Sequence, residues 1–240
     1  MRLRWLGVLM AVLFLYGCSN MQDNPIKGNA EIDWVDFVKL NGKSYTGMWE
    51  GVIRNPKDVT DQVVGKVRFK VADVVTNPEY RTKDGDAAFL AKGTELYRVK
   101  GFGSDELIAA KDETKIGGFR IYAEDGFRKT MTGGRYDEIA KAGIERIELY
   151  EGFEATAPYR TLIGDDMARF VRLLDEGEDK PGYVPQTKDR DPDYRQMVFY
   201  ANGPIAYAFP IADDGTNVYF TPRETRIVDP AIRGLLEPEY

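Results

Sequence analysis

Apolar and polar residues alternate with period two over much of the chain between residues 32 and 124, the pattern of strands with one face buried and one wet. Over 63–75, Val67, Phe69 and Val71 fall on one face and Lys66, Arg68 and Lys70 on the other, which predicts a single strand. Upstream, Val35, Phe37 and Val38 lead into Asn41-Gly42, a hairpin turn because both central residues must accept φ > 0, with the return strand expected over 43–49. Shorter strands are expected at 96–99, 107–111 and 119–123, the last two flanking a loop over 112–118. Six or seven short strands with regular turns and no helix suggest a small barrel or sandwich over 31–125.

The periodicity changes from residue 126. A short helix is expected over 135–142, stopped by Gly143, followed by strands at 144–150 and 159–163. Met167, Phe170, Val171 and Leu174 then follow at i, i+3, i+4 and i+7, which predicts the main helix, with Asp165 as its cap and Gly177 as its end. A charged loop over 178–193 leads to a meander at 197–200, 205–211 and 218–221, turned by Asn202-Gly203 and Asp214-Gly215. Asp229-Pro230 caps a last short helix. The predicted class is α+β: an all-β unit over 31–125, and a unit over 126–240 with an antiparallel meander and one main helix.

The longest apolar run stands apart from this pattern. Residues 5–16 are apolar, Arg2 and Arg4 precede them, and Leu15-Tyr16-Gly17-Cys18 closes the segment. About 20 apolar residues are needed to span a bilayer, so the length argues against an uncleaved membrane helix and suits a signal peptide over 1–17. Leu15-Tyr16-Gly17-Cys18 resembles the lipobox of bacterial lipoproteins, with Tyr16 departing from the usual small or aliphatic residue. The resemblance implies cleavage before Cys18, attachment of a diacylglycerol with fatty chains such as palmitate to its thiol, and anchoring on the outer face of the cell membrane. The alternative is an ordinary secretory peptide with an incidental cysteine. Polar residues 18–30 then read as a flexible tether. In the body, Lys83-Asp84-Gly85-Asp86-Ala87-Ala88-Phe89-Leu90, Gly93-Thr94 and the run from Tyr97 to Phe102 are similar to uncharacterised surface lipoproteins of Gram-positive bacteria, a likeness that implies no particular activity.

Composition narrows the chemistry. The formal charge is −6 and no basic run occurs, which disfavours nucleic acid as a partner. Cys18 is the only cysteine, so a lipidated Cys18 leaves no disulfide. There is no histidine, which excludes Ser-His-Asp and Cys-His catalysis. The three serines, Ser19, Ser44 and Ser104, begin no Ser-x-x-Lys motif. Neither Gly117-Gly118 nor Gly133-Gly134 begins a phosphate loop.

The remaining signals each have a plain structural alternative. Asp189, Asp191 and Asp193 begin like a calcium loop, but Tyr194 and Tyr200 stand where glycine and glutamate are required, so a solvated acidic loop fits better. Glu145, Glu148, Glu151 and Glu154 would form a hydrolase pair only if two faced one cleft. Trp34 and Trp49 flank the first hairpin as a prospective cross-strand pair. With Tyr194 and Tyr207 they are the candidates for a ligand surface, weighed against core packing. The expectation is a lipid-anchored extracytoplasmic protein that needs no cofactor or metal. It would bind a small ligand, a wall polymer or a membrane-protein partner. The alternatives are a carboxylate-based hydrolase of the envelope and an anchored ligand sensor.

Overall fold

The Asn41-Gly42 turn forms the first hairpin: both residues hold positive φ, 51° and 76°, and join β1 (Phe37–Leu40) to β2 (Lys43–Gly47) with Phe37 opposite Thr46. The structure is a computed structural model describing residues 32–131, 134–188 and 190–238. Cys18, the leader and the tether lie outside the described residues, as do Gly133 and Asp189.

Beyond the hairpin come β3 (Gly51–Ile53), β4 (Val59–Lys66), β5 (Phe69–Lys70), β6 (Asp86–Ala87), β7 (Glu95–Val99), β8 (Leu107–Lys111) and β9 (Phe119–Glu124). Eight of these first nine strands form one sheet in the order β4-β7-β8-β9-β2-β1-β6-β5. The sheet curls so far that its two edge strands, β4 and β5, are separated in the chain by only Val67 and Arg68. That closure breaks the single strand expected over 63–75. β4 pairs antiparallel with β7, β5 pairs parallel with β6, and the chain turns after Lys70. The alternation still places Val67 and Val71 in the interior, because the chain stays extended while it changes partners.

The second half supplies α1 (Asp125–Arg128), α2 (Tyr136–Ala142), β10 (Arg146–Glu151), β11 (Arg160–Leu162), α3 (Gly164–Asp175), β12 (Glu178–Asp179), β13 (Asp193–Tyr200), β14 (Ile205–Asp213), β15 (Val218–Phe220), β16 (Arg226–Val228) and α4 (Arg233–Leu236). Its strands form a second antiparallel sheet, β11-β10-β13-β14-β15-β16-β12. The fold is α+β, with a curled sheet, a meander and one main helix. α3 begins two residues earlier than expected, its cap at 163 rather than 165. Ile163 is its cap residue and makes no side-chain cap bond, while Asp165 and Asp166 lie in the first turn, where their charge faces the positive end of the helix dipole.

The two sheets are stitched by β3. Its neighbours in sequence belong to the curled sheet, yet it pairs with β14, with Ile53 opposite Ile205 and Gly51 opposite Tyr207. Four apolar clusters result. One fills the curl around Tyr45, Leu96, Ile108 and Tyr122. One lies between the sheets, where Leu107, Ala109, Phe119 and Ile121 meet Ile53 and Ile205. The largest lies between the second sheet and its helices, where Tyr136 meets Phe199 and Phe220 edge-on at 5.6 and 5.2 Å and Phe170 is fully buried. The fourth covers the opposite face of that sheet around Val52, Val198 and Ala206. The central strand β8 is therefore buried on both faces, and its sequence reads Leu-Ile-Ala-Ala rather than alternating.

Candidate functional site

The site is built from a loop, a turn and a sheet face. β8 and β9 pair up to Lys111 opposite Phe119, and residues 112–118 form the loop between them. Asp112 holds that loop, accepting from the Thr114 amide at 3.0 Å and the Thr114 hydroxyl at 2.6 Å, while Arg120 Nε reaches it at 2.5 Å. Where this loop meets the β2–β3 turn and the face of β13 and β14, a cleft of about 560 Å³ opens, within the usual range for small-ligand sites. Met48, Val52, Ile116 and Ile121 give it apolar walls, and Asp36, Glu50, Lys115 and Arg120 bring charge to it. Trp49 and Phe153 also line it and remain 75% and 58% exposed.

Asp36 differs from the other buried acids. Asp214 accepts from the amides of Thr216, Asn217 and Gln186 at 2.8–2.9 Å and from the Tyr183 hydroxyl. Asp86 accepts from the Lys83 amide at 2.7 Å and the Tyr80 hydroxyl at 2.9 Å. Asp36 is equally buried, at 7% exposed, but its two oxygens share one hydroxyl, that of Tyr122, at 3.2 and 3.3 Å. Arg120 approaches only to 3.7 Å. Burial raises the Asp36 carboxyl above its ordinary value; the Tyr122 bond and the charges of Arg120 and Lys115 pull it down without overcoming that. A carboxylate has about four acceptor positions, so Asp36, one of the residues that line the cleft, keeps accepting capacity.

Asp214 behaves in the opposite way, and a prediction follows from it. Burial raises its carboxyl, but the bonds from Asn217, Tyr183, Gln186 and Thr216 outweigh this and hold it at about 2, against an ordinary 3.8. A depressed carboxyl stabilises the fold above its unfolded-state value and stops doing so as pH falls through its folded-state value. Asp214→Ala is therefore expected to lower stability by about 2–4 kcal/mol near neutral pH. The gap from wild type should narrow as pH falls from about 4 towards 2, read as urea midpoints at each pH. A gap of constant size down to pH 2 would show that the charge does not carry the effect.

Of the residues singled out by sequence, Trp49 lies at the cleft. Tyr194, 41% exposed, backs the Phe153 ring at 5.8 Å. Trp34 packs half-buried against the Phe37 ring at 5.9 Å, with no ring contact to Trp49 among the described residues. The register of the hairpin would set the two tryptophans opposite each other, but β1 begins at Phe37 and β2 stops at Gly47, so the pair does not form. Tyr207 is half-buried between two of the clusters, and burial pushes its hydroxyl up to about 12. Glu145 and Glu148 do not enter the cleft. Glu145 pairs with Arg54, and Glu148 accepts from Tyr150 at 2.6 Å and Arg146 at 2.8 Å. Among the described residues no group of three or more metal-ligating side chains gathers.

Asp36, Arg120, Lys115 and Phe153 are cleft residues that sequence reading did not single out. For Asp36 a signal exists, since it shares a strand face with Val38 and Leu40, and an acid on an apolar face needs a reason. Comparison of the chain with protein-family models, with curated proteins and with solved structures returns no match.

Proposed function

We propose that this is a lipid-anchored extracytoplasmic surface protein that binds a ligand in the cleft between its sheets. Support for the anchor is the order of Arg2, Arg4, the apolar run and Gly17-Cys18. The binding reading is carried by one observation: a largely exposed tryptophan, Trp49, lines the same cleft as a buried carboxylate with few donors, Asp36. Exposed aromatic area beside convergent polar groups suits recognition.

Hydroxyl-radical footprinting tests this. The full chain is oxidised in isolated membranes that keep their envelope polymers, and again after purification into detergent micelles. Oxidation of Trp49 and Phe153 is expected to fall several-fold in the envelope sample, while Phe89, exposed and outside the cleft, stays unchanged. Equal oxidation of Trp49 in both samples counts against an occupied cleft.

A second reading has its own support. Glu50 shares the cleft with Asp36, whose carboxyl is held above its ordinary value, as in a proton-donating acid. That favours the alternative of a carboxylate-based envelope hydrolase. Turnover abolished by Asp36→Asn or Glu50→Gln is the result that would select it.

A further inference from the structure

We infer that the ligand of this cleft is an uncharged glycan built of N-acetylated sugar rings, an inference that rests on the ligand-binding reading above. Three features of the cleft bear on the ligand's chemistry.

The first is charge. The charged side chains that line the cleft are two cations, Lys115 and Arg120, and two acids, Asp36 and Glu50, so the lining carries no formal net charge. A charged ligand would meet a lining with no opposite excess charge to welcome it, and it would lose its hydration on entry. An uncharged ligand avoids that cost. The second is the kind of polar contact offered. Asp36 accepts from one hydroxyl, that of Tyr122, and so has room for a further donor, and Gly47 keeps the approach to it narrow but open: a Cβ at Gly47 would sit 3.1 Å from the Asp36 carboxylate. A ligand hydroxyl supplies such a donor without bringing a charge. Gln196 also lines the cleft. One N–H of its amide goes to the Gly152 carbonyl at 3.3 Å, and its amide oxygen is an acceptor for a ligand N–H.

The third is the apolar area. A sugar ring presents a flat face of C–H bonds to an aromatic side chain while its hydroxyls point outward from the ring edge. Trp49 and Phe153 offer two such aromatic faces at one cleft. Plain hydroxylated rings would leave Met48, Val52, Ile116 and Ile121 facing polar groups. An acetamido group answers both needs, with its methyl on these side chains and its N–H toward Gln196. A purely apolar peptide would satisfy the walls but leave Asp36 and Gln196 without new partners.

The test is titration calorimetry on the full chain in detergent micelles. The probes are a tetramer of N-acetylglucosamine, cellotetraose as its unacetylated counterpart, and a neutral apolar hexapeptide. Saturable binding of the N-acetylated tetramer is expected, at least about fivefold tighter than cellotetraose, a difference that contact of a few methyl groups can supply. Trp49→Ala should weaken it about tenfold and Trp49→Phe much less. Because Trp49 is exposed, the alanine variant should fold normally, and an unchanged thermal midpoint verifies this. Asp36→Asn should weaken binding several-fold. Cellotetraose or the peptide binding as tightly as the N-acetylated tetramer overturns the assignment. So does an absence of binding by all three probes. If Trp49 is still protected in envelope membranes, the cleft reading survives that failure; if it is not, the cleft reading falls as well. Hydrolysis of the tetramer, lost in Asp36→Asn, replaces the binding reading with the hydrolase one.

Discussion

Replacing Cys18 with alanine is expected to move the protein almost completely from the membrane pellet to the soluble fraction. Each buried methylene contributes about 0.8 kcal/mol, one acyl chain alone gives only marginal attachment, and two chains hold stably. A diacylglycerol on the Cys18 thiol would bring two at once. Among the described residues no helix is long and apolar enough to cross a membrane. The formal charge of −6 opposes adhesion to anionic lipid, where each basic residue near the surface would contribute about 1 kcal/mol. The proposed attachment thus depends on one thioether. Fractionation of wild type and variant, with mass spectrometry of the wild-type N-terminus, measures it. Retention of the variant in a salt-washed pellet, or an unmodified thiol in the native protein, would sink the anchor.

What could be read from the chain follows the range of the forces involved. Turn chemistry is local: Asn41-Gly42 and Asp214-Gly215 each close the hairpins expected of them, because few residues tolerate φ values such as 51°, 76° and 87°. The stripe of Phe170, Val171 and Leu174 is local as well, and it becomes the inner face of α3. Partner choice is not local. Nothing in the three residues of β3 says that they leave their own sheet to pair with β14, some 150 positions away, yet that choice creates the cleft. The strand expected over 63–75 fails for a related reason, since alternation sets which side faces inward but not which neighbour the chain hydrogen-bonds to. For the site, exposed aromatics were partly legible at Trp49 and Tyr194. Lys115 and Phe153 become relevant only through folding, since they lie on a loop and a turn that meet at the cleft. Asp36 is the intermediate case, visible as an acid among inward apolar residues once the strand's faces are assigned.

The dependence of the cleft on β3 leads to a pair of adjacent substitutions with different outcomes. Gly117 and Gly118 both adopt positive φ, 78° and 77°, in the loop that carries Lys115 and Ile116. Either alanine would incur left-handed strain of about 1–2 kcal/mol. At Gly118 that is the whole cost, because an added Cβ meets nothing within 4 Å. At Gly117 the same atom would sit 2.4 Å from the Ile53 carbonyl oxygen and 3.2 Å from its amide nitrogen. These are backbone atoms of the stitching strand, and Ile53 is held opposite Ile205. Neither side can swing away as a flexible side chain would, so the loop must lift or β3 must part from β14. Gly117→Ala is therefore expected to cost about 4 kcal/mol, a large share of the 5–15 kcal/mol typical of a domain. The two variants should separate clearly in urea midpoint, and amide hydrogen exchange in β3 should quicken only in Gly117→Ala. If both variants lose the same small amount, the loop does not press on β3, and the wall that it contributes to the cleft is not fixed by that contact.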